Sequence, residues 1–399
     1  MKNRTSHGYV YYLAIIMSLI GISTTFMQNG ENSLFLRGAV FLIGIFFVVS
    51  LAKSGGHFRK SDFLIILSIL SSIYIIFVKL FYYGNFLLIG PLMGIACFMI
   101  IASIIVYKYT FCFPLYCIIN NVGATILIVA IFTKSTDMWG AVQIGTMNPQ
   151  TIASWALIFG IGAVILLDYF IEKITYKFLF VISQMIVYGF MLYITIITEG
   201  RFSTVILIIL LLLRILPPLK VFDNKWIRLV FAFSPIIILI MTEIFYSFGW
   251  FQSMSGGSLL NGRERIWAIW MSKTFETPLF GVNYKYINAN SFYSHSIVVD
   301  YSVMFGVYTM MIFWIALAYI FLKKVPYFSN SNKKVSSSYN RLKYDAFLAF
   351  LFLLVGSSCE GCFFSVGGGG IFVFTFIPLL ISMSNEGKCS KKGRKKKYA

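Results

Sequence analysis

The chain has 399 residues, of which 59% are hydrophobic and 12% charged, and its formal net charge is +19. Apolar runs near 20 residues recur along it, the length a helix needs to cross roughly 30 Å of hydrocarbon, so the composition excludes a soluble globular enzyme. The basic excess is no nucleic-acid footprint: it sits mainly in short polar loops and the tail, where each residue near a surface gains about 1 kcal/mol from anionic lipid.

Taken in chain order, the pattern is that of an all-α polytopic membrane protein. Helices satisfy their own backbone hydrogen bonds in lipid, and the alternating, turn-punctuated pattern of a barrel is missing. About twelve spans are expected, near 8–27, 34–52, 62–80, 85–107, 111–132, 149–171, 178–198, 202–219, 227–249, 297–322, 345–360 and 368–383. The first is read as retained, because no small-residue cleavage pattern follows Met1-Lys2-Asn3-Arg4 and its apolar run. With both termini cytoplasmic, 25 of the 33 lysines and arginines fall on the inner side, which supports that parity. One integral membrane domain, 1–399, then carries three polar features. These are a large extracytoplasmic loop over 250–296, a basic cytoplasmic loop over 323–345 and a basic tail over 384–399, the last two expected to be flexible.

Several chemistries lack their residues. There is no Walker loop to drive a pump. No paired carboxylates stand on an outward loop, where Glu31 is flanked by Gly30 and Asn32, so a divalent-metal donor site has no ligands. Of the three histidines, His7 and His57 map to the cytoplasmic side, which argues against a histidine zinc site. Cys359 and Cys362 have C-x-x-C spacing without a second ligand pair and read as packing residues. The run Gly367–Gly370 reads as an outward turn or re-entrant bend. No cofactor is expected.

What chemistry remains lies outside the membrane. Eight basic residues are expected to face outward: Arg37, Lys79, Lys134, Arg201, Arg263, Arg265, Lys273 and Lys285. Asn261 can cap a helix with Glu264 in the reciprocal position, and Trp267, Trp270, Met271 and Phe275 recur at helical spacing before Thr277-Pro278 ends the segment. This is expected to be an amphipathic helix on the outer leaflet, its tryptophans at headgroup level and its first turn, with Arg263, favouring an anion. An arginine fork can grip phosphate oxygens at two points. Arg201 follows the turn Thr198-Glu199-Gly200, where it either snorkels, pairs with Glu199 or binds an anion. His295 closes the large loop, either as a structural residue or as a proton carrier. Tyr284, Tyr286, Tyr293 and Trp250 are either belt aromatics or platforms for sugar rings.

The run Asn261-Gly262-Arg263-Glu264-Arg265-Ile266-Trp267 resembles the Gly-Arg-x-x-(apolar)-Trp motif of the O-antigen polymerase and ligase family, Wzy and WaaL. Pro278-Leu279-Phe280-Gly281 is similar to that family's Pro-x-(apolar)-Gly turn. His295, followed by a span containing Gly306, resembles its His-Asn…Gly stretch, and Thr198-Glu199-Gly200-Arg201 its Ser/Thr-x-Ser-Arg motif. The matches cover roughly 198–310. Ser296 stands where Asn is usual, Gly200 where Ser is usual, and Arg265 is an extra arginine.

The resemblance implies a metal-independent glycosyltransferase with a GT-C-like bundle in the bacterial cytoplasmic membrane. Its donor would be an oligosaccharide on undecaprenyl pyrophosphate, joined to the next on the outer face. Arg201, Arg263 and His295 would then be catalytic, with Arg265, Glu264, Tyr293 and Tyr284 binding pyrophosphate or sugar. Glu264, Glu276 and Asp300 stand as alternatives to His295 as the base. Membrane lipid, a flippase and a chain-length regulator are the expected partners. A ligase acting on lipid A core is the second reading, and a flippase or transporter the third.

Overall fold

The computed structural model describes residues 113–136, 140, 142–144, 149–217, 219–248, 263–283, 286–287, 294–323, 325, 327 and 337–358. Within them the chain is mostly helical. The helices are α1 (Phe113–Ala130), α2 (Pro149–Phe170), α3 (Lys177–Ile197), α4 (Arg201–Ile215), α5 (Lys225–Ala232), α6 (Ser234–Ser247), α7 (Arg263–Glu276), α8 (Ile297–Phe305), α9 (Val307–Lys323) and α10 (Ser337–Gly356). Between α1 and α2 the strands β1 (Ser135–Thr136) and β2 (Val142–Gln143) pair antiparallel, Ser135 opposite Gln143. Helices α2 and α3 are each long and apolar enough to cross a membrane, and α5 with α6 makes a third if the bent pair is one span. The expected spans near 8–27, 34–52, 62–80, 85–107 and 368–383, and the tail over 384–399, lie outside the described residues.

Helix α2 is the centre. It is apolar all round and buried from Ile152 through Asp168, as a helix surrounded by other helices must be. Small residues let its neighbours approach: a Cβ on Gly160 would lie 2.7 Å from Leu207, and one on Gly123 of α1 would lie 2.5 Å from Phe159. Helix α3 instead buries one stripe, Gln184, Tyr188, Met191 and Ile194. Its Tyr188 hydroxyl donates to the Leu207 carbonyl of α4. The opposite side of α3 exposes Phe178, Ile182, Met185, Ile186 and Phe190, an apolar face suited to lipid.

Charged residues fix how the helices run. Arg214, near the end of α4, grips the Asp168 carboxylate near the end of α2 at 2.6 and 2.7 Å. Arg341, near the start of α10, lies 3.7 Å from the same carboxylate and 3.8 Å from Asp345. It also donates to the last carbonyls of α4, Leu216 at 3.0 Å and Leu213 at 3.3 Å, capping that helix. So α2 and α4 run parallel and α10 runs antiparallel to both. Ile297 N–H, opening α8, donates to the Ser357 carbonyl just beyond α10 at 3.0 Å. Helices α2, α4 and α8 therefore start at one end of the bundle, the near end, and the Asp168 cluster marks the far end.

Two expected spans are interrupted. The one near 227–249 is α5 and α6, bent by 62°. Pro235 lacks the N–H that would continue the ladder and its ring crowds the carbonyl four residues back, which accounts for the bend. Trp314 Nε1 of α9 donates to the Ala232 carbonyl at 2.8 Å, satisfying an acceptor at the end of α5. The span near 297–322 is divided at Gly306 into α8 and α9. The basic stretch expected as a loop over 323–345 also differs, because α10 already begins at Ser337. Its first turns are held by the Arg341 contacts and by buried Tyr344 and Phe347, the first stacked on Phe222 and the second tilted against it.

Candidate functional site

At the near end, α7 buries Glu264, Trp267, Trp270, Met271 and Thr274, which recur at helical spacing along one face. The tryptophans turn into the protein, not to a lipid headgroup layer as expected: Trp267 is 1% exposed, and its Nε1 donates to the Ser294 carbonyl at 2.7 Å. A buried indole N–H needs a partner, and this one ties α7 to the segment carrying His295. The face left outward carries Ile269 and Phe275, with Phe275 62% exposed. Asn261, the expected cap, lies outside the described residues, as do Tyr284, Tyr293 and Trp250.

The chain leaves α7 through Pro278–Gly281 and lodges in the break between α8 and α9. In an unbroken helix Val307 N–H would donate to the Val303 carbonyl four residues back. Here Val282 N–H takes that carbonyl at 2.7 Å and Val307 N–H donates to the Pro278 carbonyl at 2.8 Å. The turn thus opens one rung of the ladder and satisfies both halves. Gly306, φ 88°, and Gly281, φ 74°, sit at the crossing. A Cβ on Gly306 would lie 2.5 Å from the Leu279 carbonyl oxygen, and one on Gly281 would lie 2.4 Å from that of Val303. Two motifs 25 residues apart in sequence are one joint in space.

His295 lies between the buried serines Ser294 and Ser296 with φ 60°, a left-handed conformation. Ser294 Oγ accepts from Ser296 N–H at 3.0 Å and donates to the Asp300 carboxylate, so the turn is fixed from both sides. The imidazole is half-buried. Burial, and then the positive charge of Arg263, push its pKa down to about 4, so it is neutral near pH 7. Arg263 and His295 are therefore brought within electrostatic reach of each other.

Arg201 opens α4 at the same end. Glu199, φ 53°, makes the turn before it, and Gly200 N–H donates to the Thr195 carbonyl at 2.9 Å. A Cβ on Gly200 would lie 2.3 Å from Cβ of Ala153 on α2, which explains glycine where serine is usual in the motif it resembles. Arg201 is exposed and takes part in none of the ion pairs among the described residues. Arg201 holds the first position of α4, where unpaired N–H groups already carry partial positive charge. A cation at that position is unfavourable unless an anion arrives.

The remaining candidates separate clearly. Arg265 is exposed. Glu276 is exposed and bonded to Lys273 at 2.7 Å. Asp300 is engaged by Ser294. Glu264 is 4% exposed, and its Oε2 has no hydrogen-bond partner. Tyr286 is exposed and meets Trp270 edge-on at 5.8 Å. No protein-family model, curated protein or solved structure matches the chain.

Proposed function

We propose that the chain is a Wzy-type polysaccharide repeat-unit polymerase of about twelve transmembrane helices with a GT-C-like bundle. It joins undecaprenyl-pyrophosphate-linked oligosaccharides on the outer face of the bacterial cytoplasmic membrane, both termini being cytoplasmic. The observation that carries this reading is the joining of Arg263 and His295 through the Trp267–Ser294 bond, at the end where Arg201 starts α4. The α4 N-terminus headed by Arg201, with Arg263 and His295 at the same end, suits a pyrophosphate.

In the transfer, the acceptor hydroxyl attacks the anomeric carbon of the donor, and the bond from that carbon to the pyrophosphate oxygen breaks. Charge grows on the departing pyrophosphate. Arg201 and Arg263, with Arg265 assisting, stabilise it by several kcal/mol, the scale of preorganised donors in other enzymes. His295, neutral at working pH, hydrogen-bonds the pyrophosphate or the acceptor hydroxyl. The exposed α3 face meets lipid, and a flippase and a chain-length regulator act with the protein.

Ligation to lipid A core uses the same donor chemistry and is the alternative. Transport is less well supported. Interrupted helices often mark transporter sites, but here Val282, Pro278 and Trp314 occupy backbone groups at the two interruptions. The test is a deletion strain complemented with wild type, Arg201→Ala or Arg263→Ala. Ladders with wild type and single repeat units with either variant, at equal protein levels, are expected. Full-length polymer from both variants refutes the reading, and long lipid-linked polymer in the deletion strain points to ligation.

A further inference from the structure

Resting on the glycosyl-transfer reading, we infer that Glu264 is the base that deprotonates the acceptor hydroxyl. A carboxylate oxygen that is buried without a hydrogen bond costs the full desolvation of that atom. Oε2 of Glu264 is such an atom, on a residue 4% exposed. The group it lacks is a donor, and a sugar hydroxyl is one.

Its position supports the assignment. Glu264 lies one turn before Trp267, on the buried face of α7 whose indole holds the Ser294 carbonyl. Consecutive residues on a helix diverge by about 100°, so Arg263 and Glu264 leave α7 in different directions and serve different groups. The guanidinium is electrostatically coupled to His295 and serves the leaving pyrophosphate. The carboxylate is left for the acceptor. Of the other carboxylates expected as bases, Glu276 is held by Lys273 and Asp300 by Ser294.

The step balances without a further reagent. The hydroxyl oxygen forms the new bond to the anomeric carbon, and its proton passes to Glu264 Oε2. The electron pair of the broken bond leaves on the pyrophosphate oxygen.

The test uses the full-length protein, purified and reconstituted with a lipid-linked repeat unit, reading donor binding and chain growth separately. Glu264→Gln is expected to bind donor as wild type does while chain growth falls at least about 100-fold, the scale of a lost general base. Glu264→Ala is expected to regain part of its activity with added formate, a small carboxylate that fills the vacated space. Chain growth at the wild-type rate by Glu264→Gln overturns the assignment. So does loss of donor binding in both variants without formate rescue, which marks a structural role. If Arg263→Ala is inactive while Glu264→Gln is fully active, the glycosyl-transfer reading stands and the base is another group. If wild type builds no chain, that reading itself fails.

Discussion

His295 and Glu199 are the non-glycine residues with positive φ among those described, and each belongs to a segment expected to carry chemistry. Backbone strain of this kind costs on the order of 1–3 kcal/mol and persists where surrounding contacts over-determine it. For His295 those contacts are Ser294, Ser296 and Asp300. Its pKa of about 4 lies below the ordinary 6.5, so between those pH values the unfolded chain takes up a proton that the folded chain refuses. Stability is therefore complete above about pH 6.5 and falls as pH drops towards 4. Thermal unfolding of wild type against His295→Asn, which tolerates the same backbone and does not titrate, should show a shallower acid loss in the variant. Identical slopes would remove His295 as the cause. The residues of this region were legible in sequence: Arg263, Trp267, Pro278, Gly281, His295 and Gly306 stood out by type and order. The direction of the tryptophans was not, because apolar spacing marks a buried face without saying whether lipid or protein covers it.

Among the elements, the joint between the Pro278–Gly281 turn and the α8–α9 break is the most constrained. Gly306→Ala forces a Cβ to within 2.5 Å of a carbonyl oxygen in a backbone region that side chains avoid. It should cost about 2 kcal/mol or more and reduce folded protein on size-exclusion. An unchanged melting temperature would show that the joint relaxes freely. At the far end, Asp168 is gripped by Arg214 and approached by Arg341, whereas both Asp345 oxygens lack hydrogen bonds. Asp168→Asn leaves the partly buried Arg214 and Arg341 short of a partner and should cost about 1–3 kcal/mol. Asp345→Asn should cost much less; equal losses in thermal unfolding would contradict that ranking. Neither interrupted span was legible as interrupted, since Gly and Pro occur within membrane helices and hydropathy passes over them. The early start of α10 was hidden for a related reason: Arg341, Lys343 and Asp345 read as loop residues until their partners on other helices are known.

Among the described residues, Arg201, Arg263 and His295 lie at one end of the bundle and the interlocked Asp168, Arg214 and Arg341 at the other. If the near end is extracytoplasmic, a cysteine at exposed Arg265 should react with an impermeant maleimide in intact cells, while one at exposed Trp226 should react only after permeabilisation. The reverse pattern would invert the topology. Sequence periodicity reached helical class and membrane character; which helices surround α2 was beyond it, because lipid-facing and protein-facing apolar stripes have the same composition. The most direct measurement is chain growth by the purified, reconstituted protein on an undecaprenyl-pyrophosphate-linked repeat unit in the presence of EDTA. A ladder of products with wild type and none with Arg263→Ala is predicted; no growth with wild type, or equal growth with Arg263→Ala, would contradict a metal-independent polymerase centred on that arginine.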